Sequence, residues 1–221
     1  MPARQLLHPY AFCSLASAKL DGDVIETYKS DQRSEVWQTM RDGQAVAVKR
    51  FVYSPRRQWF SLHIGAHAGQ VEMRWNKRLQ KAGIPVVPIV DCGIDRQGCC
   101  GCHGWLATPI RGESMFHLIN DEVIRRERGE ALLDLSIDLA LKLLRANFWS
   151  RDFKPSNIVI DQDKAWLIDV GSARRNPTDA KLVRMLAVMK KRLGTGGAED
   201  HFYQRFEKEV LAEWSAIKGK R

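Results

Sequence analysis

Four polar side chains at fixed spacing carry the most evident chemistry in this sequence. Asp152 is followed by Lys154 two residues on and by Asn157 five residues on, and Asp169 comes twelve residues after Asn157. Transfer of a phosphoryl group from a nucleotide needs such a set: one carboxylate that accepts a hydroxyl proton, and an amide and a second carboxylate that hold magnesium. The order and spacing of these residue types therefore predict phosphoryl transfer.

The residues between Asn157 and Asp169 predict a hairpin that would position both. Residues 158–160 are a β-branched run, residues 161–164 have turn composition, and residues 165–168 are a second apolar run. If the two runs pair, Asn157 lies at the start of the first strand and Asp169 at the end of the second. Both residues then lie at the same end of the hairpin. The alternative is an ordinary hairpin in which aspartate and asparagine serve as turn residues.

A lysine and a glutamate upstream form a second candidate pair. Residues 44–51 alternate as in a half-buried strand, with Lys49 near the far end. Apolar residues at helical spacing predict a helix over about residues 69–82, which Gly83 would end. Glu72 lies at the margin of the apolar face of this helix, from which it would reach the lysine. The alternatives are a lysine at a strand end and a first-turn glutamate favoured by the helix dipole.

Three segments resemble the signature motifs of protein kinases. Residues 151–157, Arg-Asp-Phe-Lys-Pro-Ser-Asn, with Asp-Val-Gly at 169–171, are similar to the catalytic loop H-R-D-x-x-x-x-N followed by D-F-G. Ala-Val-Lys-Arg at 47–50 resembles V-A-I-K, the strand whose lysine contacts the α- and β-phosphates. The arrangement resembles a minimal bacterial member of the protein-kinase-like superfamily.

Within that superfamily the chain resembles the lipopolysaccharide kinase family, which phosphorylates heptose or Kdo sugars of the lipid A–core. The likeness covers about residues 24–193. It also rests on residues 78–88, Arg-Leu-Gln-Lys-Ala-Gly-Ile-Pro-Val-Val-Pro, and on Ser-Ala-Arg-Arg at 172–175. The resemblance implies an ATP-dependent kinase whose acceptor is a sugar hydroxyl of the lipopolysaccharide core.

The implied fold is α+β and bilobal. A β-rich N-lobe with one key helix would span residues 1–107, and a reduced, mainly helical C-lobe would span residues 108–221. Residues 106–114, which contain proline and glycine, would form the hinge over which adenine sits, with a backbone donor and acceptor. Helices of the C-lobe are expected over residues 129–147, 178–193 and 199–217.

The resemblance also implies roles for the chemical groups. Asp152 would accept the proton of the sugar hydroxyl, and Lys154 would neutralise charge on the transferred phosphoryl group. ATP and Mg²⁺ are the implied cofactors. The residues expected to bind them are Lys49 and Glu72, on the nucleotide phosphates, and Asn157 and Asp169, on the metal.

The sequence departs from the kinase pattern at several positions, and the region after Gly171 bears on the acceptor. Residues 29–37, where a glycine-rich phosphate loop is expected, contain no glycine, and Ser150 stands where the loop motif has histidine. No A-P-E segment follows Gly171, after which only 50 residues remain. Kinases of folded proteins hold their substrate with that region, so a small or lipid-linked sugar is the expected substrate.

Charge and hydropathy suggest a location and a partner. The chain has a net charge of +9, with the excess growing toward the C-terminus, and it contains neither an eighteen-residue apolar run nor the apolar core of a secretory signal. A cytoplasmic protein is expected. Because no nucleic-acid-binding motif is visible, the anionic inner-membrane surface is the expected partner rather than nucleic acid. The alternative is a basic face that is solvated and binds nothing specific. The basic and aromatic residues 56–60 would meet that surface or the sugar lipid, unless they form a basic surface loop.

A cysteine cluster raises the possibility of a metal site. Cys99, Cys100, Cys102 and His103 are crowded together, whereas structural zinc is usually bound by two ligand pairs separated by a dozen or more residues. We therefore expect a loop between two strands at 86–90 and 105–108. Five cysteines, an odd number, also argue against a disulfide framework.

Two other functions fit the same residues. One is another small-molecule or protein kinase of the same fold. The other is a nucleotide-binding regulatory pseudokinase, suggested by the missing glycines. Retention of Lys49, Asp152, Asn157 and Asp169 favours an enzyme, because a pseudoenzyme usually lacks at least one of them.

Overall fold

The structure is a computed structural model that describes residues 23–96, 101–193 and 198–220. The chain is mixed α/β, with a β-sheet in its N-terminal region and helices in the remainder, as the sequence predicted at this level. None of its helices within the described ranges has the length and apolar composition needed to cross a membrane.

The described residues divide into two units. One contains the residues up to Lys77 together with Pro88–Ile110, and the other contains Arg78–Val87 together with the residues from Arg111 onward. The assignment of residues 1–107 and 108–221 to two kinase lobes stays a prediction.

The first unit is built on a five-stranded antiparallel sheet in the order β1-β2-β3-β5-β4. The strands are β1 (Glu26–Ser30), β2 (Ser34–Arg41), β3 (Gln44–Phe51), β4 (Asp91–Arg96) and β5 (Cys102–Pro109). The predicted strand at 44–51 is β3. Its Val46 and Val48 pack with Trp105 on one face, and Phe51 lies in a second cluster with residues of two helices.

Those helices are α1 (Pro55–His63) and α2 (Ala68–Lys81), where the sequence predicted only the second. Residues 56–60, for which a surface loop was one interpretation, are helical. Pro55 occupies the first turn, where its fixed φ suits a helix and no N–H is needed. Gln58 and Leu62, one turn apart, are the buried positions of α1, and its short amphipathic pattern was too weak to detect.

The end of α2 follows the predicted glycine signal. Gly83 has a φ of +76° and donates from its N–H to the carbonyl of Gln80 at 2.9 Å, while Ile84 N donates to Leu79 O at 3.0 Å. This pair of bonds satisfies carbonyls that the helix leaves open, and both Leu79 and Ile84 are buried beside them.

Two predicted strand boundaries around the cysteine cluster are wrong. Residues 86–90 form no strand but one isolated bridge, Val86 with Leu167, because Pro85 and Pro88 lack the N–H groups that a strand would pair. Cys102 and His103 are not in a loop: β5 begins at Cys102, and its first six residues are all buried. Cys99 and Cys100 lie outside the described residues.

The predicted hinge at 106–114 is mostly strand. Residues 106–109 belong to β5, and residues 113–114 form the short strand β6 (Glu113–Ser114). Only residues 110–112 connect the two strands. Proline at the end of β5 is compatible with pairing because it sits at the strand terminus.

The second unit contains the predicted hairpin. Strands β8 (Ile158–Asp161) and β9 (Lys164–Leu167) pair with Ile158 opposite Leu167 and are joined by a two-residue turn in which Gln162 has a φ of +55°. β6 adds a third strand beside β8. Gly112, just before β6, has a positive φ, and a Cβ there would lie 1.8 Å from Ile160 O, so only glycine fits.

A second strand pair and four helices complete this unit. β7 (Phe148–Ser150) pairs antiparallel with β10 (Ala173–Arg175). The helices are α3 (Met115–Asn120), α4 (Glu122–Arg145), α5 (Asp179–Leu193) and α6 (Ala198–Gly219). The predicted helix at 129–147 starts earlier, as α4, because the Asp121 carboxylate accepts from the N–H groups of Val123 and Ile124 and caps it there.

Candidate active site

Lys49 and Glu72 form an ion pair in the first unit, with Lys49 Nζ 2.9 Å from Glu72 Oε2. Lys49 lies on the same face of β3 as Phe51, two residues on, and that face is covered by Met73 of α2. Glu72 is next to Met73 and is 8% exposed. A carboxylate so little exposed to water fixes the lysine in one position, and a charge-assisted bond of this kind is among the stronger polar contacts.

The start of α2 is fixed by a histidine that sequence analysis missed. His67 precedes the helix, and its Nδ1 accepts from the N–H of Gly69 at 3.0 Å, as a capping residue does. Its Nε2 lies 3.0 Å from Gln58 Oε1, so the neutral tautomer with the proton on Nε2 satisfies both contacts. Burial lowers the pKa of His67 to about 4. This cap sets the first turns of the helix that carries Glu72.

The β1–β2 turn takes the place where a glycine-rich phosphate loop was expected. The Asp31 carboxylate accepts from the backbone N–H groups of Arg33 and Ser34, each at 2.8 Å, and lies 2.8 Å from Lys29 Nζ. The hydrogen bond from Lys29 and the two backbone bonds hold the pKa of Asp31 below its usual range. Amides that would cradle a phosphate are therefore already engaged by a carboxylate.

Backbone groups at the predicted hinge are also engaged. Ala107 O accepts from Val90 N at 2.9 Å, and Ile110 N donates to Ala45 O at 3.3 Å. Pro109, between them, has no N–H to donate. The carbonyl of Ala107 and the nitrogens of Pro109 and Ile110 therefore do not supply the backbone donor and acceptor expected for adenine.

In the second unit, Asp152 lies at the start of a loop tied down by two serines. Its backbone N–H donates to Ser172 Oγ at 3.1 Å, and Ser172 Oγ lies 2.9 Å from Ser150 Oγ. Both serines are buried. The carboxylate of Asp152 is partly exposed, with Arg151 Nη2 3.6 Å away. Ser150, in the position of the motif's histidine, thus supports the loop through its contact with Ser172.

Asn157 joins both ends of this loop to the Asp169 segment. Its side-chain Nδ2 donates to Asp152 O at 2.9 Å, and its backbone O accepts from Ile168 N at 3.0 Å. Its own N–H donates to Lys154 O at 2.9 Å, closing a 3₁₀ turn over Pro155–Asn157. Since the amide nitrogen holds the loop, Oδ1 is the atom of this 6% exposed side chain that is suited to a cation.

Asp169 follows Ile168 directly and has an unusual backbone. Its φ of +52° and ψ of +54° place it in the left-handed region, at the start of a 3₁₀ turn over Val170–Ser172. Aspartate tolerates this region better than most residues, but the conformation still carries strain, and such strain clusters at functional sites. The residue is exposed, while Val170 beside it is buried.

The loop between Asp152 and Asn157 is anchored from inside by its phenylalanine. Phe153 is fully buried and stacks on Phe206 of α6, with ring centroids 6.0 Å apart. Lys154 follows with an extended backbone and a partly exposed side chain. Alternation along this short extended segment puts the phenylalanine in the core and leaves the lysine at the surface of the loop.

The donor set of this region fits magnesium. An amide oxygen from Asn157 and a carboxylate from Asp169 are hard oxygen ligands, and Mg²⁺ is usually held by one or two such groups together with substrate phosphates. Across residues 23–96, 101–193 and 198–220, no three histidine, cysteine, aspartate or glutamate side chains are grouped as a metal cage. His103 instead bonds to Phe51 O at 2.9 Å.

Each unit thus contains one group of the residues singled out by sequence. Lys49 and Glu72 are paired in the first unit; in the second, Asp152, Lys154 and Asn157 share one loop that is bonded to the segment before Asp169. Sequence reasoning did not predict the supporting hydrogen bonds of Ser172, His67 and Asp31. Serine at position 150, where the kinase motif has histidine, was a hint to Ser172, because the smaller side chain needs a different partner. Asp31 could have been recognised as an aspartate at the start of a turn.

Comparison with known proteins supports the fold rather than a function. The fold is mixed α/β, with a sheet followed by helices, and 1826 chains of solved structures match it. Among them is WaaP in complex with acyl carrier protein, with a TM-score of 0.54 and 16% identity, covering 96% of this chain and 92% of that chain. At that identity the likeness shows the shared fold alone. No family model matches the sequence. No curated protein matches it either.

Proposed function

We propose that this chain is an ATP-dependent phosphotransferase that acts on a sugar hydroxyl, of heptose or Kdo, in the lipopolysaccharide core. The observation that carries the proposal is the linkage in the second unit: Asn157 bonds to Asp152 O through its side chain and to Ile168 N through its backbone. A proton acceptor and two magnesium ligands on segments bonded to one another are what phosphoryl transfer requires.

In this proposal Asp152 accepts the proton of the attacking hydroxyl, and Lys154 neutralises charge on the transferred phosphoryl group. Acceleration in this chemistry comes mainly from positioning and electrostatics. Magnesium, when bound by Asn157 and Asp169, supplies positive charge to the phosphate oxygens.

Nucleotide phosphates are bound by Lys49 in this proposal, with Glu72 holding the lysine. The β1–β2 turn contributes little, because the Asp31 carboxylate occupies the N–H groups of Arg33 and Ser34. In a kinase with a glycine-rich loop, the backbone amides of that loop also attract the phosphates. Without them, Lys49 must supply more of the nucleotide affinity in this chain.

The short path after Asp169 supports a small or lipid-linked acceptor. Only residues 176–178 separate β10 from α5, so no segment of this stretch is available to hold a folded protein substrate. The choice of a lipopolysaccharide sugar rests on the sequence resemblance. With it we propose a location at the cytoplasmic face of the inner membrane.

A regulatory nucleotide-binding module without turnover is the second candidate. It is favoured by the engaged groups at the phosphate turn and at Ala107 O and Ile110 N, which reduce the contacts available to a nucleotide. Phosphate transfer by the wild type that is lost in Asp152→Asn distinguishes the enzyme from this second candidate, which would transfer no phosphate in either form.

Nucleotide-dependent thermal stabilisation tests the metal site. Mg-ATP is expected to raise the melting temperature of the wild type, and to raise that of Asp169→Asn much less. Asparagine is chosen because it tolerates the left-handed backbone as aspartate does but carries no charge. Asp163→Asn, in the exposed turn of the same hairpin, is the matched control and should respond as the wild type does. Equal stabilisation of all three proteins contradicts the metal role.

The acceptor is identified by mass spectrometry of core oligosaccharide from a strain that lacks this protein. Loss of one phosphate from a heptose or Kdo residue is the expected result. An unaltered core contradicts the proposed substrate and leaves a kinase of another small molecule.

A further inference from the structure

We propose that the outer face of α1 is a docking site for an anionic lipid surface. This face, which we call the α1 face, consists of Arg56, Arg57, Phe60 and Ile64. At 100° per residue the four positions fall within one third of the helix circumference, opposite the buried Gln58 and Leu62. The face therefore presents two apolar side chains between two arginines.

The apolar side chains of the α1 face are unusually open to solvent. Phe60 is 61% exposed and Ile64, just after the helix, is 62% exposed. Trp59 lies at the rim, 38% exposed, with its ring 4.2 Å from that of His63. A single exposed apolar residue is ordinary, but a phenylalanine, an isoleucine and a tryptophan within six residues form a patch.

The charged residues of the chain segment that contains this patch are all basic. No aspartate or glutamate occurs between Asp42 and Glu72, and α1 carries arginines at its start and a histidine at its end. Arg74 of α2 extends the basic surface to the far end of the patch, because its Nη2 donates to Gly65 O at 2.6 Å. This electrostatic field is complementary to anionic headgroups.

The α1 face is held rigidly from behind. The buried side chain of Gln58 donates through Nε2 to Phe51 O at 2.7 Å and accepts through Oε1 from Gly104 N at 2.9 Å. Ser61 Oγ also bonds to Gln58 O. A polar side chain committed to the sheet in this way prevents the helix from turning its apolar residues inward. Their exposure is thus a fixed feature of the fold.

A lipid surface fits this combination better than a protein partner does. An interfacial helix lies flat, inserts large apolar side chains below the headgroups, and pairs the arginines beside them with phosphates. Tryptophan at the rim is typical of the headgroup level. A second copy of this chain would bring the same arginines face to face, which like-charge repulsion opposes.

This inference deepens the proposed function by naming the surface through which the enzyme would reach a lipid-linked acceptor. The role of the α1 face in reaching the acceptor rests on the proposed function, whereas the lipid binding itself does not. Vesicle binding is measured without nucleotide, so failure to bind lipid and failure to transfer phosphate are separate outcomes.

Co-sedimentation of the full chain with vesicles tests the α1 face. Vesicles of phosphatidylglycerol and phosphatidylcholine in equal amounts should bind the wild type, and pure phosphatidylcholine vesicles should bind it weakly. Arg56→Glu with Arg57→Glu is expected to reduce partitioning by about tenfold or more, since each basic residue near an anionic surface contributes on this scale. Phe60→Ser with Ile64→Ser should reduce it by about tenfold as well.

Matched variants in the second unit control for overall charge and hydrophobicity. Lys191→Glu with Arg192→Glu makes the same charge change on exposed residues of α5, and Val183→Ser removes an exposed apolar side chain there. Both should retain most of the vesicle binding, and all variants should keep the wild-type melting temperature. Equal loss in the α5 charge variant, or undiminished binding by Phe60→Ser with Ile64→Ser, overturns the proposal. So does a wild-type dimer in sedimentation velocity that these α1 substitutions dissociate.

Discussion

The hydroxyl of Ser172 accepts a hydrogen bond from the backbone N–H of Asp152 at 3.1 Å. Ser172 lies three residues after Asp169, so this one bond joins the segment of the proposed metal ligand to the loop of the proposed base. Ser150, 2.9 Å from Ser172 through their hydroxyl oxygens, adds a second buried contact. The position of Asp152 therefore depends on a serine that has no role in the proposed chemistry.

Ser172→Ala should slow turnover while leaving nucleotide affinity nearly unchanged. The substitution leaves the N–H of Asp152 without its acceptor, and a displacement of about 1 Å in a catalytic group costs up to about a hundredfold in rate. Steady-state kinetics would show a fall in kcat at constant KM for ATP. Ser156→Ala, in the same loop but exposed, is the control and should behave as the wild type. A Ser172→Ala enzyme with normal kcat would show that this bond does not position the base.

Lys49→Met should weaken binding of Mg-ATP by about tenfold or more. The variant removes the cation proposed for the phosphates and leaves the Glu72 carboxylate, which is 8% exposed, without that partner and repelling the nucleotide. Isothermal titration calorimetry measures the change. Lys29→Met is the control. It breaks a comparable ion pair, 2.8 Å from Asp31, on an exposed strand, and it should reduce the affinity for Mg-ATP much less. Equal affinity of wild type and Lys49→Met would remove this lysine from the site.

Acid should destabilise the protein through His67. Its pKa is about 4 in the folded state and about 6.5 when unfolded, so the unfolded chain binds more protons between these values. The stabilisation is complete above the unfolded pKa and is lost as pH falls through the folded pKa. From neutral pH to about pH 4, this difference lowers the free energy of unfolding by about 3 kcal/mol.

The variant His67→Asn isolates this contribution. Asparagine can still accept from Gly69 N as a helix cap but does not titrate. Urea unfolding at several pH values should therefore show a shallower decline for the variant than for the wild type. Identical declines would mean that His67 is not the group responsible.

Local sequence patterns predicted the elements whose partners are near in the chain. The β8–β9 hairpin needs only a two-residue turn between two apolar runs, and the end of α2 needs only Gly83 and its neighbours. In both cases the stabilising contacts lie within ten residues. The candidate residues attached to these elements, Asn157 and Glu72, could therefore be placed from sequence.

Elements that depend on distant partners were missed. The position of α1 depends on Gln58, whose partners include residues 51, 67 and 104, so no window of sequence around residue 58 contains the reason for the helix. Cys102 and His103 were assigned to a loop as the alternative to a zinc site, whereas their pairing with Arg96 and Asp95 of β4 makes them strand. The strand content of residues 106–114 was not predicted either, because it depends on pairing with β3, β4 and β8, which are distant in the sequence.

The candidate site residues were chosen by residue type, and the contacts that support them were not predicted. Spacing singled out Asp152, Asn157 and Asp169 because the proposed chemistry needs carboxylates and an amide in that order. Nothing in the spacing indicated that Ser172 would bond to the backbone of Asp152, since a serine hydroxyl pairs with almost any polar group. The arrangement depends on the β7–β10 pairing, which aligns Ser150 with Ala173 and is nonlocal.

The central claim is tested most directly by single-turnover phosphate transfer with wild type and Asp152→Asn. Radiolabelled Mg-ATP and purified core oligosaccharide are the substrates, and binding of Mg-ATP is measured in parallel. We expect the variant to bind nucleotide as tightly as the wild type and to transfer phosphate slower by about a hundredfold or more, because general-base catalysis contributes on that scale. An unchanged transfer rate in Asp152→Asn would contradict the account.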